Sequence, residues 1–210
     1  MTFPRTPLRT AIVASALLVA VTLAMTMLAQ VIEYEANGEK YQTLTRGGLT
    51  VIMSHLPVQV AGYGLVQVSI ANGSAIHWTV EPEDFQYVRG AETIDGLGAD
   101  AVVNVMLAHA SGSDVAKLIT SYEKSLYAIP NMRSNNGYEQ RRQGAMAAGG
   151  GSRLRAAAAA SAITLAKIRL APGESTDGAV FMHLPKDPKS LTGGHLEIHS
   201  EGQTFEFNPD

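Results

Sequence analysis

The chain has 210 residues, no cysteine, and 16 basic against 19 acidic residues, which gives a net charge of −3. Residues 1–29 carry two of the basic residues and no acid, so the rest of the chain has 14 basic and 19 acidic residues, a net charge of −5. This balance argues against general nucleic-acid binding, which needs a positive surface. Without cysteine, disulfides and a lipid-modified cysteine are excluded, and a chain of this length must stabilise one domain with an ordinary core.

The first thirty residues have the pattern of an export signal. Arg5 and Arg9 precede an uncharged apolar run from Ala11 to Ala29, and polar sequence follows at once. Cleavage after Ala29 or Ala24 would remove this run, whereas a retained run is barely long enough to span a bilayer. We therefore expect residues 1–29 to be an export signal or an N-terminal membrane anchor. The body is then periplasmic or extracellular, because the arginines stay on the cytoplasmic side.

Short strands separated by turns are predicted from Ile32 to Val88. The first strand ends at an Asn37-Gly38 turn, and a later one alternates apolar residues with Gln67 and Ser69, which we expect to face water. Asn72-Gly73 then predicts a hairpin, since both residues tolerate positive φ. The apolar positions that define these strand faces are Ile32, Tyr34, Leu49, Val51, Met53, Val66, Val68, Ile70, Ile76, Trp78 and Val80.

After about residue 95 the period becomes helical. Ser113 is the predicted cap of a helix that ends before Pro130, a further helix is expected from Gly137 to Ala148, and Ser152 is expected to cap an alanine-rich helix. Another helix is predicted before these three, and its apolar side consists of Val102, Val103, Met106, Leu107 and Ala110.

The strand period returns from Ile163. Its inward positions are predicted at Ile168, Leu170, Val180, Met182, Leu184, Leu196, Ile198, Phe205 and Phe207. Seven or eight short strands with polar turns indicate a mainly β fold, an immunoglobulin-like β-sandwich. Residues 30–210 then form one sandwich, interrupted by a helical insertion at about 97–162.

Two segments resemble immunoglobulin-like domains of bacterial exported proteins, a group similar to the mycobacterial secreted immunogenic protein. One runs from Val66 to Ser74 and on to a Pro-x-x-Phe corner at Pro82 and Phe85; the other runs from Leu170 through a Pro-Gly-Glu turn to Pro185. The resemblance covers about residues 48–90 and 163–208, without the helical insertion. It implies a fold rather than an activity, because the group has no shared catalytic residues.

Three short motifs carry candidate chemistry. Ser121 and Lys124 match Ser-x-x-Lys, but the companion motifs of penicillin-recognising enzymes are missing. Gly149–Arg153 resembles a phosphate-binding turn, yet the Walker lysine pattern is missing, so a flexible joint is the better interpretation. Asn72-Gly73-Ser74 matches a glycosylation acceptor, but its predicted hairpin role already explains it. We predict no catalytic residue and no cofactor.

A histidine-rich strand offers the one candidate metal site. Because Leu196 and Ile198 should face the core, His195, Glu197 and His199 should share the outer face. His183 is expected on an adjacent strand, and imidazole and carboxylate ligands together could hold zinc or copper. A solvated polar sheet face is the simpler alternative, because strand spacing alone does not produce tetrahedral geometry.

The stretch from Asn131 to Arg155 has a net charge of +4 in an otherwise acidic protein. Its arginines are Arg133, Arg141, Arg142, Arg153 and Arg155, against one acid, Glu139. Such a surface could contact lipid head groups, an acidic wall polymer or an acidic protein, or it could simply be solvated.

The sequence therefore favours an exported, non-enzymatic binding module of the cell envelope or extracellular space, with the helical insertion as its contact surface. Its partner would be an unidentified protein or an anionic envelope component. The alternatives are a metal-binding protein or metalloenzyme built on His183, His195, Glu197 and His199, and a structural protein that self-associates through the insertion. On the first hypothesis, deletion of residues 97–162 should abolish binding while the sandwich still folds.

Overall fold

The computed structural model describes residues 30–129, 136–147, 149–184 and 190–208. Seven strands precede the helices: β1 (Ile32–Ala36), β2 (Glu39–Arg46), β3 (Leu49–Val60), β4 (Tyr63–Asn72), β5 (Trp78–Val80), β6 (Phe85–Arg89) and β7 (Glu92–Leu97). Then come α1 (Ala99–His109), α2 (Asp114–Ala128), α3 (Tyr138–Ala147) and α4 (Ser152–Ile163). The last strands are β8 (Ile168–Leu170), β9 (Ser175–His183), β10 (His195–Ser200) and β11 (Gln203–Phe207).

Most strands belong to one curled antiparallel sheet, in the order β1-β2-β3-β4-β9-β7-β6-β10-β11. The curl brings β11 back towards β2, where the Arg46 guanidinium donates to the Thr204 carbonyl oxygen at 2.7 Å. A mainly β fold with a helical block is therefore confirmed. Within the described residues there are eleven strands rather than seven or eight, because the predicted strand faces include none from β2, β6 or β7; β5 and β8 pair with each other in a separate small sheet.

The turn between β1 and β2 forms as predicted. Asn37 and Gly38 have φ angles of 53° and 77°, the left-handed pair that closes a two-residue hairpin with the right twist. In this hairpin Tyr34 lies opposite Tyr41, and their rings stack with centroids 5.2 Å apart. The Asn-Gly signal therefore fixes the register of the edge strand.

The predicted hairpin at Asn72-Gly73 is wrong. The chain leaves β4 there and crosses to β5, which pairs with β8 instead of returning along β4. The Asn72 side chain, which is buried, directs this crossing: its amide donates to the carbonyl oxygens of Ile76 at 2.7 Å and Leu170 at 3.1 Å. Its oxygen accepts from the Ser74 backbone N–H at 3.0 Å, the Asx-type turn that competes with a hairpin.

The helices cover one face of the sheet, and the other face encloses a second core. Leu65 and Phe181, opposite each other on β4 and β9, pack against the helical block together with Leu126 of α2. Their neighbours Val66 and Val180 point to the other face and are equally buried. Strands β4 and β9 are therefore covered on both faces.

The expectation that Gln67 and Ser69 face water is consequently wrong. Both side chains are buried, at 1% and 2% exposure, beneath the helical block. The period of two was correct, but the polar face of β4 is covered by α2 instead of solvent. The helices lie between β7 and β8 in the chain and form a layer against the sheet.

Candidate functional site

A buried polar interface holds α2 on the sheet. The Ser125 hydroxyl donates to Gln67 Oε1 at 2.8 Å, and the Tyr41 hydroxyl donates to the Ser125 carbonyl oxygen at 2.6 Å. One turn earlier on α2, the Tyr122 hydroxyl donates to the carboxylate of Asp177 on β9. Because Tyr122 and Asp177 are both buried, each of these groups needs its partner, and this requirement fixes the position of α2 along β4 and β9.

The Tyr122–Asp177 pair also perturbs the tyrosine. Burial, and next the nearby Asp177 charge, raise the pKa of Tyr122 well above its ordinary value. The phenol therefore stays protonated and remains a hydrogen-bond donor throughout the physiological range. Its ring meets that of Tyr138 of α3 at a centroid distance of 5.1 Å, which links the third helix to the same interface.

The ends of three helices lie together at one end of the block. Arg141, near the start of α3, donates from Nε to the carbonyl oxygen of Ala162 near the end of α4 at 3.2 Å, so these helices run antiparallel. After α1, Gly112 lies against Ser152, where a Cβ on the glycine would be 3.3 Å from the serine Cβ. The last turns of α1 and α3 and the first turn of α4 therefore share this end.

This end exposes large apolar side chains beside cations. Leu107 of α1, Met146 of α3 and Leu154 of α4 are 39%, 57% and 50% exposed. Arg153 and Arg155 flank Leu154, and both are exposed. We call these five residues (Leu107, Met146, Arg153, Leu154 and Arg155) the tip. The expectation that Leu107 belongs to the buried side of its helix is wrong, although Val102 and Met106 are buried as predicted.

The five arginines of the basic stretch do not act together. Arg141 is occupied by backbone carbonyl oxygens, including that of Asn136, and Arg142 forms an ion pair with Glu123, whose charge raises the arginine pKa. Arg133 lies outside the described residues. Only Arg153 and Arg155 remain, and no ion pair within the described part of the chain involves either of them.

The histidine-rich strand forms as predicted, but without its fourth member. Glu197 lies between its two histidines, with Oε1 2.8 Å from His195 Nε2 and Oε2 3.0 Å from His199 Nε2. These contacts, with the hydrogen bond from His195 first, lower the pKa of Glu197. His183 of β9 does not lie beside these residues of β10, because β7 and β6 lie between the two strands. Its ring packs against that of Tyr63 instead, with the ring centroids 5.3 Å apart. Among the described residues no group of three or more acids and histidines is arranged to hold a metal.

The structure does not bring together the residues of the Ser-x-x-Lys motif or the elements of a phosphate-binding turn. The Lys124 ammonium forms an ion pair with Glu39 of β2, and no hydrogen bond in the described residues joins it to Ser121. The glycines before α4 follow a helix, α3, rather than the strand that a phosphate-binding turn requires. Gly151, not Ser152, occupies the N-cap position of α4.

Sequence reasoning missed an open groove beside the β1–β2 hairpin. Its volume is about 580 Å³, and its walls include the stacked Tyr34 and Tyr41 and the Lys124–Glu39 ion pair. Burial raises the pKa of both tyrosines. The sequence feature related to this groove is the alternation of aromatic and charged residues along β1 and β2. That alternation indicates a strand whether or not a groove lies beside it, so it could not predict the groove.

Comparisons with family models, curated proteins and solved structures found no match for this chain. In the described ranges, which begin at residue 30, no helix is long and apolar enough to cross a membrane.

Proposed function

We propose that this chain is an exported, non-enzymatic binding module and that its tip contacts an anionic component of the cell envelope. The single observation that carries the proposal is the coincidence of three exposed apolar side chains with two exposed arginines at the end of the helical block. Exposed apolar patches on a soluble fold are typical of interaction sites, and guanidinium groups recognise anionic groups through paired donors.

Charge patterning supports an anionic partner. From Gln140 to Gly173 the sequence contains no Asp or Glu, whereas the chain as a whole is acidic, so no acid near them in the sequence offsets Arg153 and Arg155. The acids nearest in sequence, Glu139 and Glu174, lie at the far end of α3 and beyond β8. A positive patch on a net negative protein directs an anionic partner to one place on its surface.

Packing of the block supports a rigid contact surface. Tyr122 and Ser125 tie α2 to β9 and β4, and α4 packs against the other three helices with buried alanines such as Ala156 and Ala160. Because this packing already orders the backbone that carries the tip, association has no further entropic cost for ordering that backbone.

Position-specific photo-crosslinking in producing cells tests the proposal. A photoreactive amino acid replaces Leu154 in one variant and Ile76 in a matched control, because both side chains are large, apolar and half or more exposed. Ile76 lies in the loop between β4 and β5, away from the helices. We expect an adduct with an anionic envelope component from position 154 and none from position 76.

The arginines provide the second comparison. Arg153→Gln with Arg155→Gln should abolish the adduct from position 154, whereas Lys40→Gln with Arg169→Gln, which removes the same charge from β2 and β8, should leave it unchanged. No adduct from position 154, or an equal adduct from position 76, contradicts the proposal. An adduct with a second copy of the chain would instead support the self-associating structural protein.

The relation to immunoglobulin-like exported domains also remains a proposal. It is supported by the antiparallel sheet, by the 3-10 turn at Pro82–Asp84 that joins β5 to β6, and by the Pro172-Gly173 turn, where Gly173 has a φ of 83°. The export itself is proposed from residues 1–29, whose structure is outside the described residues.

A further inference from the structure

We infer that the partner of the tip is the surface of an anionic lipid bilayer. This inference rests on the proposed function and specifies its partner. The tip presents two kinds of side chain at once: the guanidinium groups of Arg153 and Arg155, and the apolar side chains of Leu107, Met146 and Leu154. A bilayer interface accepts both kinds, the cations at the phosphate level and the apolar groups at the acyl boundary.

The apolar residues distinguish a bilayer from a soluble polyanion. An acidic wall polymer would satisfy the arginines, but it would leave the three apolar side chains in water. At 39% to 57% exposure these residues gain free energy only from a partner that removes them from water. A Cβ on Gly150 would lie 2.9 Å from Leu154 Cδ2, so the leucine lies over the turn between α3 and α4, where half of it is exposed.

The local charge distribution favours anionic over zwitterionic lipid. Among the described residues, the helix termini at the tip carry no exposed carboxylate: Asp114, the acid that follows α1, is 6% exposed and accepts from the Ser111 backbone N–H at 2.6 Å. A basic residue close to an anionic membrane surface strengthens binding by about five-fold. The two arginines together should therefore contribute about 25-fold, and salt should weaken the attraction.

The lack of cysteine allows a clean test with the full chain. In Leu154→Cys, a single polarity-sensitive fluorophore reports the surroundings of the tip alone, even if residues 1–29 also bind lipid. Ile76→Cys, labelled in the same way, is the matched control. The probes are vesicles of phosphatidylcholine alone and vesicles of equimolar phosphatidylcholine and phosphatidylglycerol.

We expect a blue shift of the label at position 154 with phosphatidylglycerol vesicles, a much smaller shift with phosphatidylcholine, and none at position 76. Arg153→Gln with Arg155→Gln should raise the lipid concentration at half-maximal shift by about 25-fold. The Lys40→Gln, Arg169→Gln pair should not change that concentration. An unchanged label at position 154 with both vesicles overturns the inference. In that case, a photo-adduct between position 154 and an acidic protein or polymer would still leave the proposed function standing.

Discussion

Replacement of Tyr122 by Phe tests whether the buried polar interface stabilises the helical block. The change removes one hydroxyl and keeps the ring that packs against Tyr138. Tyr122 is 0% exposed and Asp177 is 2% exposed, so the carboxylate loses this donor in a site that is closed to bulk solvent. A hydrogen bond to a charged group contributes about 1.5–3 kcal/mol, and we therefore expect Tyr122→Phe to lower the free energy of unfolding by about 2 kcal/mol.

Urea denaturation with an unchanged m-value measures this loss, because the fold and its buried surface stay the same. Tyr127→Phe is the matched control: the same helix loses the same hydroxyl, but Tyr127 is 48% exposed and donates to Glu139 at the surface. That control should cost less than about 0.5 kcal/mol. Equal small losses in the two variants would refute the argument that the Tyr122–Asp177 contact holds the helices on the sheet.

Three further outcomes are expected. Gly178→Ala should cost more than about 3 kcal/mol in thermal unfolding, because its Cβ would lie 2.5 Å from the Leu165 Cα. Gly149→Ala should change little, because in the described part of the chain no atom beyond the adjacent residues lies within 4 Å of the added Cβ. Burial and a neighbouring carboxylate raise the pKa of Tyr127 to about 12, above its unfolded value of about 10. Ionisation of this tyrosine is therefore disfavoured in the folded protein, and the urea midpoint should fall as the pH is raised from about 10 to about 12. Deletion of residues 97–162 should give an insoluble or dye-binding protein, not the folded sheet first expected, because it uncovers the helix-facing side of β4 and β9; a soluble, cooperatively unfolding deletion would contradict this.

Strand positions were predictable where apolar alternation and turn chemistry agreed. The β1–β2 hairpin formed because Asn37 and Gly38 both adopt positive φ, and Leu196 and Ile198 are buried as their alternation indicates. The period does not show what covers the second face of a strand. Gln67 looked solvated because it is polar, but its partner Ser125 lies 58 residues further along the chain, which no local pattern reveals.

The tip was only partly predictable for the same reason. Sequence identified a basic stretch, but it could not show that Arg142 is neutralised by Glu123 or that Arg141 is occupied by backbone carbonyls. It also could not show that the packing of α1 against α4 leaves Leu107 exposed. The separation of His183 from His195 depends on sheet order, which is fixed by long-range pairing and not by residue type.

The helical block and the curled sheet form one body, from which the tip is presented. Equilibrium unfolding followed by two probes tests it most directly. Trp78 is the only tryptophan; it is buried in β5 and lies against Gly47, between β2 and β3 of the curled sheet, so its fluorescence reports the strands. Far-UV circular dichroism reports the helices as well. We predict coincident transitions with one midpoint. A loss of helical signal at a lower denaturant concentration, with Trp78 still buried, would contradict the account.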